Sequence, residues 1–256
     1  MHIAAIHNLP DNKEELAAAL ADALGVTLYD ARSRLSVPGN GPIVVAVSGE
    51  HEAAVKIAEK LHSKGFDAFV LNEDEIETGA SQFIVRKFKL DDKELVVESR
   101  DGQSLAIDYS SIDLILRGTC IEVSSETETL KKRKFSAGRA ILSGGLVMSK
   151  TTKVKRNVTT EERESFFNLY SENKPTTVFF ENTLIYDSLG PLLQPSRIAN
   201  FAYLLAELRQ RQPNAIFDDR LLRRAEQALL LGPQLSPEDH LDVAIALLVK
   251  AELSGA

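Results

Sequence analysis

The chain has 256 residues, 37 acidic against 30 basic side chains, a formal charge of −7, 44% hydrophobic residues and one cysteine. That composition belongs to globular proteins and excludes disordered and fibrous classes, and a lone cysteine excludes a disulfide framework or a zinc site built on several thiolates. The overall charge excludes a protein that coats nucleic acid by being basic throughout.

The N-terminal stretch Met1-His2-Ile3-Ala4-Ala5-Ile6-His7 lacks the basic and apolar regions of a secretory signal. The longest apolar run, Val243 to Val249, is far shorter than the ~20 residues that span a bilayer. A cytoplasmic protein with a reduced Cys120 is therefore expected, the thiol acting as a small buried hydrophobe in a β-like run.

Ile3 to Ile6 reads as a short strand. Asp11 with Glu14 forms a capping box, and Leu16, Ala19, Leu20, Ala23 and Leu24 follow at helical spacing. Gly25 is placed as a left-handed cap. Thr27 caps a second helix with Leu28, Ala31 and Leu35 on one face. The cluster Pro38-Gly39-Asn40-Gly41-Pro42 is a turn. Ile43 to Val47 is a β-branched strand. A helix with Ala54, Val55, Ala58 and Leu61 as its stripe ends at Gly65, and Phe66 to Leu71 is the next strand. The order is β-α-α-β-α-β.

The run Leu24-Gly25-Val26-Thr27-Leu28-Tyr29-Asp30-Ala31-Arg32-Ser33-Arg34-Leu35 resembles the helix-turn-helix of the C-terminal domain of the bacterial ribosomal stalk protein. Glu52 to Leu61, continued by Lys64-Gly65-Phe66, resembles that domain's last helix and strand. The ClpS adaptor shares the element order. The resemblance covers about seventy residues and implies protein–protein binding without catalysis. The lysine-bearing face of the stalk domain does not carry over, because residues 1 to 75 hold twelve acidic and six basic side chains. The stretch His7-Asn8-Leu9-Pro10-Asp11-Asn12-Lys13 lacks the Thr-Pro pair of the ClpS family.

The acidic stretch Asn72 to Ala80 reads as a linker. Phe83 to Leu90 alternates, with Phe83, Val85 and Lys87 on one side and Ile84, Arg86 and Phe88 on the other. Glu94 to Ser99 and Ser104 to Tyr109 flank the hairpin signal Asp101-Gly102. Leu114 to Val123 is a fourth strand, interrupted at Gly118. Strands resume at Thr176 to Phe180 and Thr183 to Tyr186. Pro195-Ser196 then starts a helix with Ile198, Phe201, Ala202, Leu204, Leu205 and Leu208 as its stripe. A meander closed by one helix resembles the pleckstrin-homology-like superfold over residues 81 to 212; a split barrel or sandwich fits the same pattern. In the tail, Asp218 or Asp219 caps a helix bearing Leu221, Leu222, Ala225, Ala228 and Leu229. Ser236-Pro237-Glu238-Asp239 starts another, with Leu241, Ala244, Ile245, Leu248 and Val249 on its apolar face. These helices pack on the core or form a dimer contact.

The expected fold class is α+β: a small β-α-α-β-α-β domain over residues 1–75, a linker at 76–80, an antiparallel β-barrel-like domain over 81–212 and a helical extension over 213–256.

One stretch stands apart. Between Leu130 and Glu161 there is no acidic residue, while Lys131, Lys132, Arg133, Lys134, Arg139, Lys150, Lys153, Lys155 and Arg156 supply nine positive charges. The rest of the chain therefore carries −16. Three readings stay open: a solvated hairpin or mobile loop, a site for an anion or polyanion, and a phosphate-cradling loop at Gly144-Gly145. The last lacks the Walker spacing. Phe135 is the one aromatic in the run, so base stacking has little to build on.

Catalytic patterns are sparse. His51 and His62 lie roughly 16 Å apart along one helix, too far to share a metal. No His-Glu-x-x-His, Gly-x-Ser-x-Gly or Rossmann glycine pattern occurs. The pairs Asp91-Asp92 and Asp218-Asp219 sit in expected turns or caps. The expectation is a non-enzymatic binding or adaptor protein with no cofactor, no catalytic residue and no metal ligand. Its partner is another protein or a polyanion such as anionic lipid or RNA, bound through the nine basic residues. An enzyme with an interdomain pocket and a homodimer assembled through residues 213–256 are the alternatives.

Overall fold

A computed structural model describes residues 1–9, 13–36, 40–77, 79–135 and 149–253, with side chains from 13, 122–135 and 149–162 left aside. The α+β class is observed. The strands are β1 (His2–His7), β2 (Ile43–Ser48), β3 (Asp67–Asn72), β4 (Phe83–Leu90), β5 (Glu94–Ser99), β6 (Ser104–Asp108), β7 (Ile112–Phe135), β8 (Ser149–Ser171), β9 (Thr177–Phe180) and β10 (Ile216–Leu221). The helices are α1 (Lys13–Leu24), α2 (Leu28–Leu35), α3 (His51–Ser63), α4 (Arg197–Arg211), α5 (Arg224–Leu231) and α6 (Leu241–Leu253). Two sheets form, one in the order β2-β1-β3 and one in the order β10-β7-β8-β9-β4-β5-β6.

The chain divides into two compact units. One comprises Met1–Cys120 with Glu164–Ala256, the other Ile121–Arg163. The second unit consists of the remainder of β7 and the beginning of β8, together with the residues between them. Apart from the first part of β8, the elements described below belong to the first unit.

The β-α-α-β-α-β order is observed, and both outer strands pair antiparallel with β1. Its local signals act as read. Thr27 accepts the backbone N–H of Asp30 at 3.1 Å and caps α2. Gly25 and Gly65 adopt φ of +67° and +84° after α1 and α3. Leu28 differs: it is exposed, while Ala31 and Leu35 of α2 are buried. The expected cap at Asp11 lies outside the described residues, as do Pro38 and Gly39 of the turn cluster. β1 is covered on both faces. Ala4 and Ile6 pack with Leu20, Leu35 and Leu61 of the helices, whereas Ile3 and Ala5 join a second core with β7, β8, α5 and α6.

The larger sheet is mixed rather than wholly antiparallel, because β10 runs parallel to β7 and β9 parallel to β4. The expected strict alternation of β4 fails for a local reason. The register with β5 shifts between Val85 and Lys87, and this bulge returns Phe88 to the same core as Val85. Asp101-Gly102 makes the β5–β6 turn, with Gly102 at φ +80°. Thr183 to Tyr186 is no full strand: a single bridge joins Ile185 to Lys87. The expected linker begins with a 3-10 turn, Glu73–Glu75, closed by the side chains of Asn72 and Glu75.

β7 runs through Gly118 without a break. A Cβ there would lie 2.5 Å from Cζ of Phe166 and 2.8 Å from Cβ of Leu221, so the glycine permits close approach of neighbouring strands. Residues 149 to 171, read as a hairpin or mobile loop as far as Arg156 and given no strand beyond it, form β8. Its Lys- and Thr-rich first half gives no hydrophobic alternation to read, and of the rest only Phe166 to Tyr170 is nearly continuously apolar. On α4 the N-cap Ser196 acts as expected, but Ile198 and Ala202 are exposed, and Asn200 takes a buried place by exchanging hydrogen bonds with the Gln194 backbone.

The tail departs most from expectation. Asp218 and Asp219 lie in β10, not at a helix start, because Asp218 finds a partner two residues on. Ser236 heads a turn, accepting the N–H of His240 at 3.0 Å, and α6 begins only at Leu241. The buried residues of α5 are Gln227, Leu230 and Leu231. Those of α6 are Val243, Ala244, Leu247 and Leu248. Both helices thus spend an apolar face on the second core.

Arg220 ties three of these pieces together. Its guanidinium donates to the Asp218 carboxylate, to the Gly41 carbonyl before β2 and, at 2.5 Å, to Glu252 of α6. Burial opposes its charge, but the Asp218 and Glu252 carboxylates outweigh that and hold its pKa above the ordinary value. Asp218 is only 5% exposed. Arg220→Met leaves that carboxylate buried and uncompensated, with an expected loss of about 3–5 kcal/mol in urea unfolding. Adding Asp218→Asn should recover most of it. A loss below about 1 kcal/mol would class the contact with exposed pairs instead.

Candidate functional site

β8 alternates between two cores. Phe167 and Leu169 pack towards α4, while Phe166 and Tyr170 face the core shared with α5 and α6. Asn168 lies between Phe166 and Tyr170 on that second side and is 1% exposed. Its Nδ2 donates to the Tyr170 hydroxyl at 3.3 Å. Its Oδ1 is buried and has no hydrogen-bond partner, and the same holds for Oγ of Ser171.

Both residues line a cavity of about 970 Å³ in the first unit. Its floor is Phe166, Val178 and Phe180 of β8 and β9. Its opposite wall is Leu241, Ile245 and Val249 of α6. These three belong to the apolar face expected for that helix; they are half-buried because α6 is apolar nearly all round and turns a different stripe into the core. The segment after β3 closes another side through Leu71, Glu75 and Glu77. The cavity falls within the size range of small-molecule sites, which are mostly apolar with a few placed polar groups.

The charged lining is partly paired. Lys250 donates to the Val70 carbonyl at 2.9 Å and to Glu75. Burial works against the charged form of Glu75, but hydrogen bonds from Lys250 and Asn72 prevail and hold its carboxyl below the usual range. Thr176 Oγ1 donates to Glu77 at 2.8 Å. Burial pushes the Tyr170 hydroxyl up, so it stays protonated at neutral pH. Cys120 is half-buried on the same lining, and its thiol donates to the Glu164 carbonyl at 3.7 Å.

A polar chain leads away from the cavity wall. Asn72 Nδ2 donates to Glu75 at 2.5 Å, and Asn72 Oδ1 lies 2.9 Å from Nδ1 of both His2 and His51. The two imidazoles meet edge to face, 5.2 Å between centroids. Sequence spacing sets His51 too far from His62 to share a metal, and the fold places it beside His2. No group of three or more His, Cys, Asp or Glu side chains suited to a metal is found among the described residues.

Of the basic residues expected to form a site, Lys131, Lys132, Arg133 and Lys134 lie on β7 and Lys150, Lys153, Lys155 and Arg156 on β8. These strands are neighbours in the sheet. Their side chains are outside the described residues, as is Arg139 altogether. The cavity was not legible beforehand. Its one sequence signal is an amide, Asn168, set among Phe166, Phe167, Leu169 and Tyr170.

Comparison with protein-family models, with curated proteins and with solved structures finds no match.

An unsatisfied buried acceptor costs about 1–3 kcal/mol, and replacing it with an apolar group of similar shape is close to neutral or stabilising. Asn168→Leu also strips the buried Tyr170 hydroxyl of its partner and is expected to cost about 1–3 kcal/mol in urea unfolding, which adding Tyr170→Phe should recover. A double variant that stays more than about 1 kcal/mol less stable would give Asn168 a further structural role.

Proposed function

We propose that this chain is a non-enzymatic binding protein whose first unit holds a small, largely apolar ligand in the cavity between β8, β9 and α6. The observation that carries the reading is the cavity itself, about 970 Å³, with Phe166, Val178 and Phe180 on one side and Leu241, Ile245 and Val249 of α6 on the other. Small-molecule sites are concave, of this size and mostly apolar with a few polar groups.

The test uses the neutral fluorophore N-phenyl-1-naphthylamine, which brightens in apolar surroundings. Saturable binding at one site is expected. Ala246→Trp, which fills the cavity from α6, should weaken it by at least about tenfold with the thermal midpoint kept. Equal binding by this variant would remove the cavity as the site.

A second reading rests on a separate observation. The acid-free run of basic residues falls on two neighbouring strands. We infer that this segment attracts an anionic surface. Replacing Lys131, Lys132, Arg133 and Lys134 by Glu should abolish sedimentation with phosphatidylserine vesicles, and wild-type binding should fall steeply with salt. Binding to an RNA homopolymer instead of vesicles would assign the charge to nucleic acid. Unchanged vesicle binding by the variant would dismiss the segment.

A further inference from the structure

We propose that β6 is a docking edge for a second copy of this chain, the two β6 strands pairing antiparallel into one continuous sheet. The larger sheet ends at β6, which has β5 on one side and no strand on the other. The bonds from Tyr109 N–H to the Lys93 carbonyl at 3.1 Å and from Ser99 N–H to the Gln103 carbonyl at 2.9 Å fix the phase of the β5–β6 ladder. In that phase Leu105 and Ile107 bond to β5, and the N–H and C=O groups of Ser104, Ala106 and Asp108 point outward. All three residues are exposed. Among the described residues, Ser111 Oγ donates to the Asp108 carbonyl at 2.8 Å, and the outward groups of Ser104 and Ala106 have no partner. Side chains cover the other edges more fully. On β2, Arg34 donates to the Val45 carbonyl at 2.7 Å and Gln234 accepts the Val47 N–H at 3.1 Å. On β3, Lys250 donates to the Val70 carbonyl and Glu75 accepts the Asn72 N–H at 3.4 Å. On β10, the Asp218 carboxylate accepts the Arg220 N–H at 2.9 Å. Proteins blunt sheet edges in such ways, and an edge left open is a template for another strand.

The residues of β6 decide which strand fits. Ser104-Leu105-Ala106-Ile107-Asp108 is complementary to its own reverse. With a two-fold axis at Ala106, Ser104 stands opposite the second copy's Asp108 and Leu105 opposite its Ile107, while the two Ala106 residues meet at the axis. The Ser104 hydroxyl then donates to a carboxylate that, within its own chain, stands opposite the like charge of Glu94. Half-buried Leu105 gains an apolar neighbour. The outward residues exchange about six backbone hydrogen bonds across the axis. A foreign strand would have to bring its own donor for Asp108, whereas the second copy already carries one. Such a contact is isologous and closes at two copies. A five-residue strand pair is smaller than the ~1,200 Å² at the low end of stable interfaces, so the dimer is weak and follows concentration.

The experiment is sedimentation equilibrium of the full chain, from micromolar to about 1 mM protein. A monomer–dimer equilibrium with a dissociation constant of about 100 µM is expected. Ala106→Pro removes an N–H that points away from β5, a change an edge strand tolerates, and should abolish dimerisation with the thermal midpoint kept. Ser104→Lys sets an ammonium group opposite the second copy's Asp108 and should tighten the dimer about fivefold at low salt. Ser104→Asp sets a like charge there and should weaken it by about the same factor. The two Ser104 variants decide alone if the proline unfolds the chain. A monomer at every concentration would overturn the proposal. So would a dimer untouched by Ala106→Pro, which would place the contact elsewhere, or one on which the two Ser104 variants act alike, which would exclude this register.

Discussion

Residues 114–118 of β7 and 166–170 of β8 are covered on both faces, and this double coverage sets the layering of the first unit. Ile115, Phe167 and Leu169 pack with α4, while Leu114, Leu116 and Phe166 meet α5, α6 and the small sheet. A strand buried on both faces has no polar side to turn outward, so its sequence runs nearly continuously apolar. It also tolerates little extra volume. Gly118 sits where Phe166 and Leu221 converge, and their separation leaves no room for a methyl group. The small sheet, α5 and α6 then take their places on the surface these strands present.

Against that background Asn168 is the exception, a buried amide in an apolar stretch of β8. Its neighbours on the strand are chosen for packing, and it is the amide among them. Leaving its oxygen unpaired costs stability, while its nitrogen gives the buried Tyr170 hydroxyl a partner. Costs of this kind concentrate at sites where function needs a group that folding does not. α6 makes the complementary wall possible because it is apolar nearly all round. One stripe fills the core and the adjoining one is left facing the cavity.

What the sequence made legible was local. Thr27, Gly25, Gly65, Gly102 and Ser196 act within a few residues of their own position, and their chemistry is decided there. The β-α-α-β-α-β order follows from such signals joined to apolar spacing. What was not legible depended on residues far apart in the chain. Phe88 changed sides because β5 imposed a bulge. Asp218 and Asp219 looked like a helix start until β7 supplied a parallel partner and Arg220 a counter-charge. β8 was hidden because its first half is Lys- and Thr-rich, residues 161–165 are charged or polar, and the apolar stretch Phe166 to Tyr170 does not alternate. The cavity draws its lining from segments between Leu71 and Leu253, so no window of sequence contains it. The basic run was visible from composition alone, and the structure adds that its two arms are strands.

Asn72 shows what a single carboxamide can fix at a distance from the cavity. Its nitrogen is committed to Glu75, so its oxygen is the end turned towards His2 and His51. That oxygen has no proton to offer. Each imidazole can bond to it only by presenting Nδ1–H, which assigns the same tautomer to both neutral rings and leaves the lone pair of each on Nε2. The two histidines are thus held in one orientation by a shared acceptor, and Lys250, by gripping Glu75, sets the direction of the whole chain from the cavity wall outward.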